Sequence, residues 1–275
     1  MAAPPLSTVG NLAREGDETR FLAALCAPPQ ARERLFALIA FNLELAKIPA
    51  LVSEPMLGEI RLAWWREALE DLFDRGVARG HEVIGALAAA HREAPFDRAA
   101  LETMVEARLY SLAPGGADDR EGLDRFLAGT GGALAVAGVR ALGGGDAAAE
   151  VAGLGGWAEG AGRLIAALPA IIASGGQAPM TAGLDMNAIR EGRAPETLTG
   201  ALRDLADDAL TRLRAARARR REVPRAARAP LLSIHAAEPA LVAAAAPGFD
   251  PFRRVGPSPL RARLSLLRRA ATGRF

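Results

Sequence analysis

Apolar positions along the chain recur at intervals of three and four, and the longest such pattern occupies 35–74, LFALIAFNLELAKIPALVSEPMLGEIRLAWWREALEDLFD. At that spacing Leu35, Leu38, Ile39, Asn42, Leu45 and Ala46 share one helix face. Pro49 has no backbone N–H and disfavours helical geometry at Ile48, so this helix ends or bends there. Ser53 is the expected N-cap of a second helix, with Pro55 in its first turn and Ile60, Trp64, Ala68, Leu69 and Leu72 along its buried stripe.

The same periodicity predicts further helices. One spans 18–27 through Phe21, Leu22 and Leu25, and another 82–92. A third starts from an Asp97 N-cap and runs through Leu101, Met104, Val105, Arg108 and Leu109 to Pro114, followed by a loop at Gly115 and Gly116. Others lie around Leu123 and Phe126, across 146–174, from Thr197 or Pro195-Glu196 through Leu213, and near 231–246 and 260–271. Residues 1–17, with Pro4, Pro5 and Gly10 and no periodicity, read as a flexible N-terminal arm. No stretch alternates apolar and polar residues between turn signals, so strands are not expected. The fold class is all-α, with 18–275 as a single helical domain. A central apolar cavity is expected between the helices at 35–48 and 151–174. The glycines of GTGGALAVAG cost helix stability and point to close approach of a neighbouring helix, since neither a preceding strand nor a following Lys supports a phosphate loop.

Composition narrows the function classes. Half the residues are apolar but only 5% are aromatic, which favours Ala- and Leu-rich helices. The single Cys26 excludes an internal disulfide and reads as a buried thiol in a reducing compartment. No charged-then-apolar leader opens the chain, and no run reaches the ~18 apolar residues of a spanning helix, so a cytoplasmic protein, peripheral at most at the inner face of a membrane, is expected. The net charge of +2 conceals a polarity: 201–275 holds sixteen Arg against six acids. Eight of those Arg lie in 212–228, and Arg217, Arg219, Arg220 and Arg221 are the candidates for docking to an anionic membrane or an acidic protein partner. Nucleic acid is not expected, because stacking aromatics are missing from this run.

The phrases carried by Leu35, Ala37, Ala40 and Phe41, and by Trp65, Arg66, Glu67 and Leu69, resemble the first conserved block of the squalene and phytoene synthase family. The resemblance extends to Arg20-Phe21 and to 146–180, where SGGQAPM is similar to a loop of the family. It implies an all-helical enzyme fold that joins prenyl diphosphates with the help of Mg²⁺ held by two aspartate motifs. Neither motif is kept. Ala46, Lys47 and Ala50 stand where the first would fall, and Gly160, Arg163, Ala166, Ala167 and Ile171 replace the residues of the second. A diphosphate leaves when hard oxygen ligands hold Mg²⁺ against its growing charge, and Ala, Lys and Ile supply none.

Asn42, Glu44, Leu45, Ser53, Glu54, Gly58, Arg61 and Trp65 resemble the aspartate-less branch of that family, which includes a mitochondrial complex I assembly factor. That branch implies a non-catalytic helper with no cofactor. The alternative is a prenyltransferase using displaced carboxylates and Mg²⁺. Rows of acids at Glu67, Glu70, Asp71 and Asp74, and at Asp204, Asp207 and Asp208, have ligand-like spacing but read as solvated faces. No catalytic residue and no metal ligand is assigned. Asn42, Glu44, Glu159 and Arg163 are the candidates for a cavity binding an apolar or prenyl ligand or an anionic head group, with Glu159 and Arg163 also spaced to pair with one another. His81, His91 and His235 do not cluster with other metal-ligating residues, and His81 and His91 read as surface or cap positions.

Overall fold

The computed structural model describes residues 5–52, 54–112, 119–173, 189, 191–256 and 258–275. Among them every regular element is a helix. The segment expected as a flexible arm is a correction: Thr8–Gly16 is helix α1, with Ser7 accepting from the Gly10 N–H at 3.0 Å, and Val9 and Ala13 buried. Its periodicity is short but real, and it packs along α3. Asp17, at the end of the same segment, accepts from the Arg20 N–H at 3.0 Å and caps α2, Glu18–Leu25.

Helix α3, Arg32–Lys47, ends one residue before a 3₁₀ turn at Ile48–Leu51, as Pro49 requires. The expected cap at Ser53 lies outside the described residues, as do Pro114, Gly115, Gly116 and the SGGQAPM stretch. Helix α4, Pro55–Arg75, has its proline in the first turn. Burial on α4 begins at Gly58 and Leu62 rather than at Ile60, which is 60% exposed alongside Met56 and Leu57. Gly58, Leu62, Trp65, Leu69 and Leu72 form the covered face of α4, and Met56 and Ile60 lie on the opposite one. Ala46, expected on the buried stripe of α3, is likewise exposed.

Helices α5, Glu82–Glu93, and α6, Arg98–Ala107, follow. His81 Nδ1 accepts from the Val83 N–H and caps α5, His91 Nδ1 accepts from the Phe96 N–H, and Asp97 caps α6. Helix α7, Arg120–Leu127, runs through a π-helical turn at Ala128–Gly132 into α8, Ala133–Ala141. The long α9, Asp146–Ala173, then α10, Glu196–Ala218, α11, Ile234–Ala245, and α12, Pro259–Thr272, complete the fold.

The core lies in two clusters, one built mainly by α1–α6 and one by α9–α12, and α8 supplies residues to both. Helix α9 packs on α8, α10 and α11. The expected direct facing of α3 and α9 is modified: α8 packs on each of them, and they approach across a small cavity. The glycine run explains the closeness of α9 to the π turn. A Cβ at Gly131 would stand 2.4 Å from the Gly156 carbonyl oxygen, and one at Gly156 would stand 2.3 Å from that of Gly131. Only hydrogen fits between these backbones.

Candidate functional site

The space between α3, α8 and α9 is a cavity of about 30 Å³, lined on its apolar side by Leu35, Leu38, Ile39 and Leu134. By volume it holds a water molecule or two, so the expected apolar cavity is present at this place but small. Its polar wall is Arg20 and Glu159.

These two residues belong to a four-membered charge network. Arg163 Nε donates to Glu159 Oε1 at 2.8 Å, one helical turn away on α9. Its Nη1 and Nη2 donate to the two carboxylate oxygens of Asp17, each at 3.0 Å. Arg20 reaches Asp17 at 3.2 Å and Glu159 at 3.3 Å. Two acids and two bases therefore neutralise one another, with both carboxylates nearly inaccessible. Burial works to raise the Asp17 carboxyl, but Arg163 and Arg20 outweigh it and hold the group below its ordinary value. Burial likewise opposes the Arg163 charge, and Glu159 and Asp17 overcome it, so its proton is held more tightly than usual.

The other inward candidates do not join this network. Asn42 is buried and accepts from Arg108 Nη2 at 2.9 Å. Glu44 pairs instead with Lys47 at 2.8 Å near the end of α3. Arg108 is buried without a carboxylate partner among the described residues, its Nε has no hydrogen-bond partner, and its guanidinium lies over the Phe126 ring. Burial, and then the charge of Arg20, pull its pKa down to about 10. Asp17, Arg20 and Arg108 are the residues missed as site candidates. Asp17 and Arg20 had a readable signal, an Asp directly before a helix start. Arg108 had another, a charge on the stripe of Leu101, Met104 and Val105.

Ala46, Lys47, Ala50 and Ala167 are exposed on α3, the following turn and α9. With Ile171 they offer no side-chain oxygen, and Lys47 already engages Glu44, so these positions do not fit a Mg²⁺–diphosphate clamp. Four of the seven acids in the two rows are engaged otherwise. Arg79 binds Glu67 and Asp71, Arg98 binds Asp74, and Asp208 meets Arg120 and Arg212. Among the described residues no group of three His, Cys, Asp or Glu is arranged to hold a metal.

The basic run is mostly structural. Helix α10 stops at Ala218, and the rest of the run forms short 3₁₀ turns. Arg217 forks onto Glu238 at 2.6 and 2.8 Å and donates to the Phe275 carbonyl at 2.7 Å. Arg219 binds Glu222 and Glu150. Arg220 and Arg221 are exposed. Arg225 and Arg228 donate to the carbonyls of Ala271 and Gly273 at the end of α12. Cys26 is exposed at the end of α2, correcting the expected buried thiol. No helix among the described residues is long and apolar enough to cross a membrane.

Comparison with known proteins places these features. A stretch of 63 residues is 38% identical to human NADH dehydrogenase (ubiquinone) complex I, assembly factor 6, and 40% identical to the rat protein. The stretch is 23% of this chain and 19% of each assembly factor, so the chain spans about a fifth of those relatives. Over nearly its whole length the fold is similar to solved structures. A squalene synthase, HpnC, from Alicyclobacillus acidocaldarius matches with a TM-score of 0.71 and 18% identity, covering 86% of this chain and 90% of that one. A dehydrosqualene synthase solved in complex with ligand matches with a TM-score of 0.75 and 15% identity, covering 96% and 94%. Residues 13–168 match the squalene/phytoene synthase family, and with more than half of its length inside that match the chain belongs to it.

Proposed function

We propose that this chain is a non-catalytic member of the squalene/phytoene synthase family that acts as an assembly or binding helper, of the kind that respiratory complex I requires. The observation that carries the reading is the chemistry of the positions on α3, the turn after it and α9 that stand where the family resemblance puts its two aspartate motifs. Where a diphosphate-ionising site needs carboxylates for Mg²⁺, this chain has Ala46, Lys47, Ala50, Ala167 and Ile171. The acids that do face inward, Asp17 and Glu159, are bound by Arg20 and Arg163. A carboxylate so neutralised is a poor metal ligand, and the cavity beside it is water-sized. No cofactor is needed for such a role.

The short match to complex I assembly factor 6, at 38–40% identity, supports the helper side. Its identity is about twice the 15–18% to the solved synthases, although it covers far less chain. The test is genetic and biochemical. Deleting the gene in its host should lower the amount of assembled NADH dehydrogenase complex, and the intact chain should restore it. Undiminished complex in the deletion strain contradicts the helper assignment.

A further inference from the structure

The outward face of α12 carries exposed leucines among arginines. Leu260, Leu264 and Leu267 follow one another at four and three residues and are 68%, 58% and 62% exposed. That spacing draws them into one stripe, continued a turn later by exposed Ala271. Arg261 and Arg268 border the stripe on one side and Arg263 on the other. The inner side is already used: Leu266 is buried, and Arg269 binds Glu238 at 2.7 Å. Burial of the inner face therefore leaves a second, complete apolar stripe in water.

Charge separates this face from an ordinary solvated helix. Residues 251–275 contain seven Arg and no acid. Arg263 is engaged by Glu18 and Arg269 by Glu238. Arg253, Arg254, Arg261, Arg268 and Arg274 have no acidic partner among the described residues. The helix is also held firmly. Arg217, Arg225 and Arg228 donate to the carbonyls of Phe275, Ala271 and Gly273, which satisfies the end of α12 and fixes it on the body.

We infer that α12 is an interfacial anchor that lies in the plane of an anionic lipid bilayer. The three leucines enter the boundary between headgroups and acyl chains, and the flanking arginines stay level with the lipid phosphates. At 14 residues the helix is about 21 Å long, short of the ~30 Å hydrocarbon core, so it lies on the membrane rather than through it. An apolar stripe bordered by Arg261 and Arg268, neither paired with an acid among the described residues, complements a bilayer surface, which is apolar below and anionic at the level of those cations. This inference does not depend on the helper role, because a catalytic protein would be anchored by the same face. It moves the docking surface from Arg217 and Arg219, which are spent on Glu238, Glu150 and Glu222, to the leucine face beyond them.

The test is co-sedimentation of the full chain with vesicles of phosphatidylcholine alone and of phosphatidylcholine mixed with phosphatidylglycerol, at low and high salt. The intact chain should pellet with the mixed vesicles and stay in solution with the neutral ones. Leu260→Ser with Leu264→Ser and Leu267→Ser should weaken the binding at least about tenfold. Arg261→Gln with Arg268→Gln should weaken it about tenfold and flatten its salt dependence. Arg220→Gln with Arg221→Gln should bind as the intact chain does. All substitutions are at exposed positions, and helicity and melting temperature check that each variant is folded. If the leucine variant fails that check, the arginine variant and the salt titration decide. Failure of the intact chain to bind mixed vesicles overturns the inference, as does binding by the leucine and arginine variants as strong as that of the intact chain. Capture of an acidic protein partner in the absence of vesicle binding overturns it too.

Discussion

Arg163 on α9 grips Asp17 at the start of α2 with both of its terminal nitrogens, each 3.0 Å from a different carboxylate oxygen, across 146 positions of sequence. This fork ties the N-terminal helices to the long central helix, and with Arg20 and Glu159 it closes the polar wall of the cavity. Removing one member strands the others. Asp17→Asn leaves Arg163 and Arg20 sharing one acid and should destabilise the fold by about 3 kcal/mol, read from urea unfolding.

The pH dependence follows from the same residue. The Asp17 carboxyl is held below its unfolded value of about 3.9, because Arg163 and Arg20 outweigh the burial that would raise it. Its contribution is therefore complete above that value and is lost as pH falls from there through the lower folded value. Urea midpoints of the intact chain should fall across this acid window. Those of Asp17→Asn should fall less steeply over the same range.

Arg108 and Asn42 form a buried pair in which, among the described residues, the cation has a neutral acceptor and no carboxylate. Asn42→Ala deletes that acceptor and should cost about 2 kcal/mol, as expected for a hydrogen bond to a charged group. Arg108→Met with Asn42→Leu removes the charge and its partner together, and should leave stability near that of the intact chain or above it. A double-mutant cycle by denaturant unfolding measures the difference. Strong destabilisation by the double substitution contradicts the view that this charge is a burden on the fold.

Two glycines of α9 should behave in opposite ways. Gly156→Ala drives a Cβ to 2.3 Å from the Gly131 carbonyl oxygen and should cost about 1–3 kcal/mol or more through backbone displacement. Gly153→Ala places its Cβ 3.8 Å from Val136, an ordinary contact, and should gain up to about 1 kcal/mol of helix propensity. Thermal melts of the two variants make the comparison.

Arg217→Gln should act on stability and leave lipid binding intact. It removes the fork onto Glu238 and the bond to the Phe275 carbonyl, while Glu238 keeps Arg269. Because the pair is partly solvated, a loss of about 1 kcal/mol is expected.

Periodicity and proline placement made the helices legible. The end of α3 before Pro49, the cap at Asp97 and the start of α10 at Pro195-Glu196 all follow from local stereochemistry, which sequence records directly. The first helix was harder to read, since Thr8–Gly16 holds few apolar residues and gains its place by packing on α3. Ile60 sits at helical spacing from Trp64 yet points to solvent, because the covered face of α4 carries Gly58, Leu62, Trp65 and Leu69, and the apolar residues on both faces let the stripe be drawn on the wrong one. In the candidate site, Glu159 and Arg163 were readable as an i, i+4 pair. Asp17 was not readable as their partner, because an ion pair spanning 146 positions leaves no local pattern. The arginine run shows the same limit: its density was plain, but its use as a clasp on the end of α12 depends on where the chain returns.

The central claim is that this member of the family does not ionise a prenyl diphosphate. The measurement that bears on it most directly is a time course of pyrophosphate release from farnesyl diphosphate by the purified full chain in the presence of Mg²⁺. Release should stay at the rate of the protein-free control over many hours. Release above that control, abolished by Glu159→Gln or by substituting the acids of the Glu67–Asp71 row, would contradict the claim.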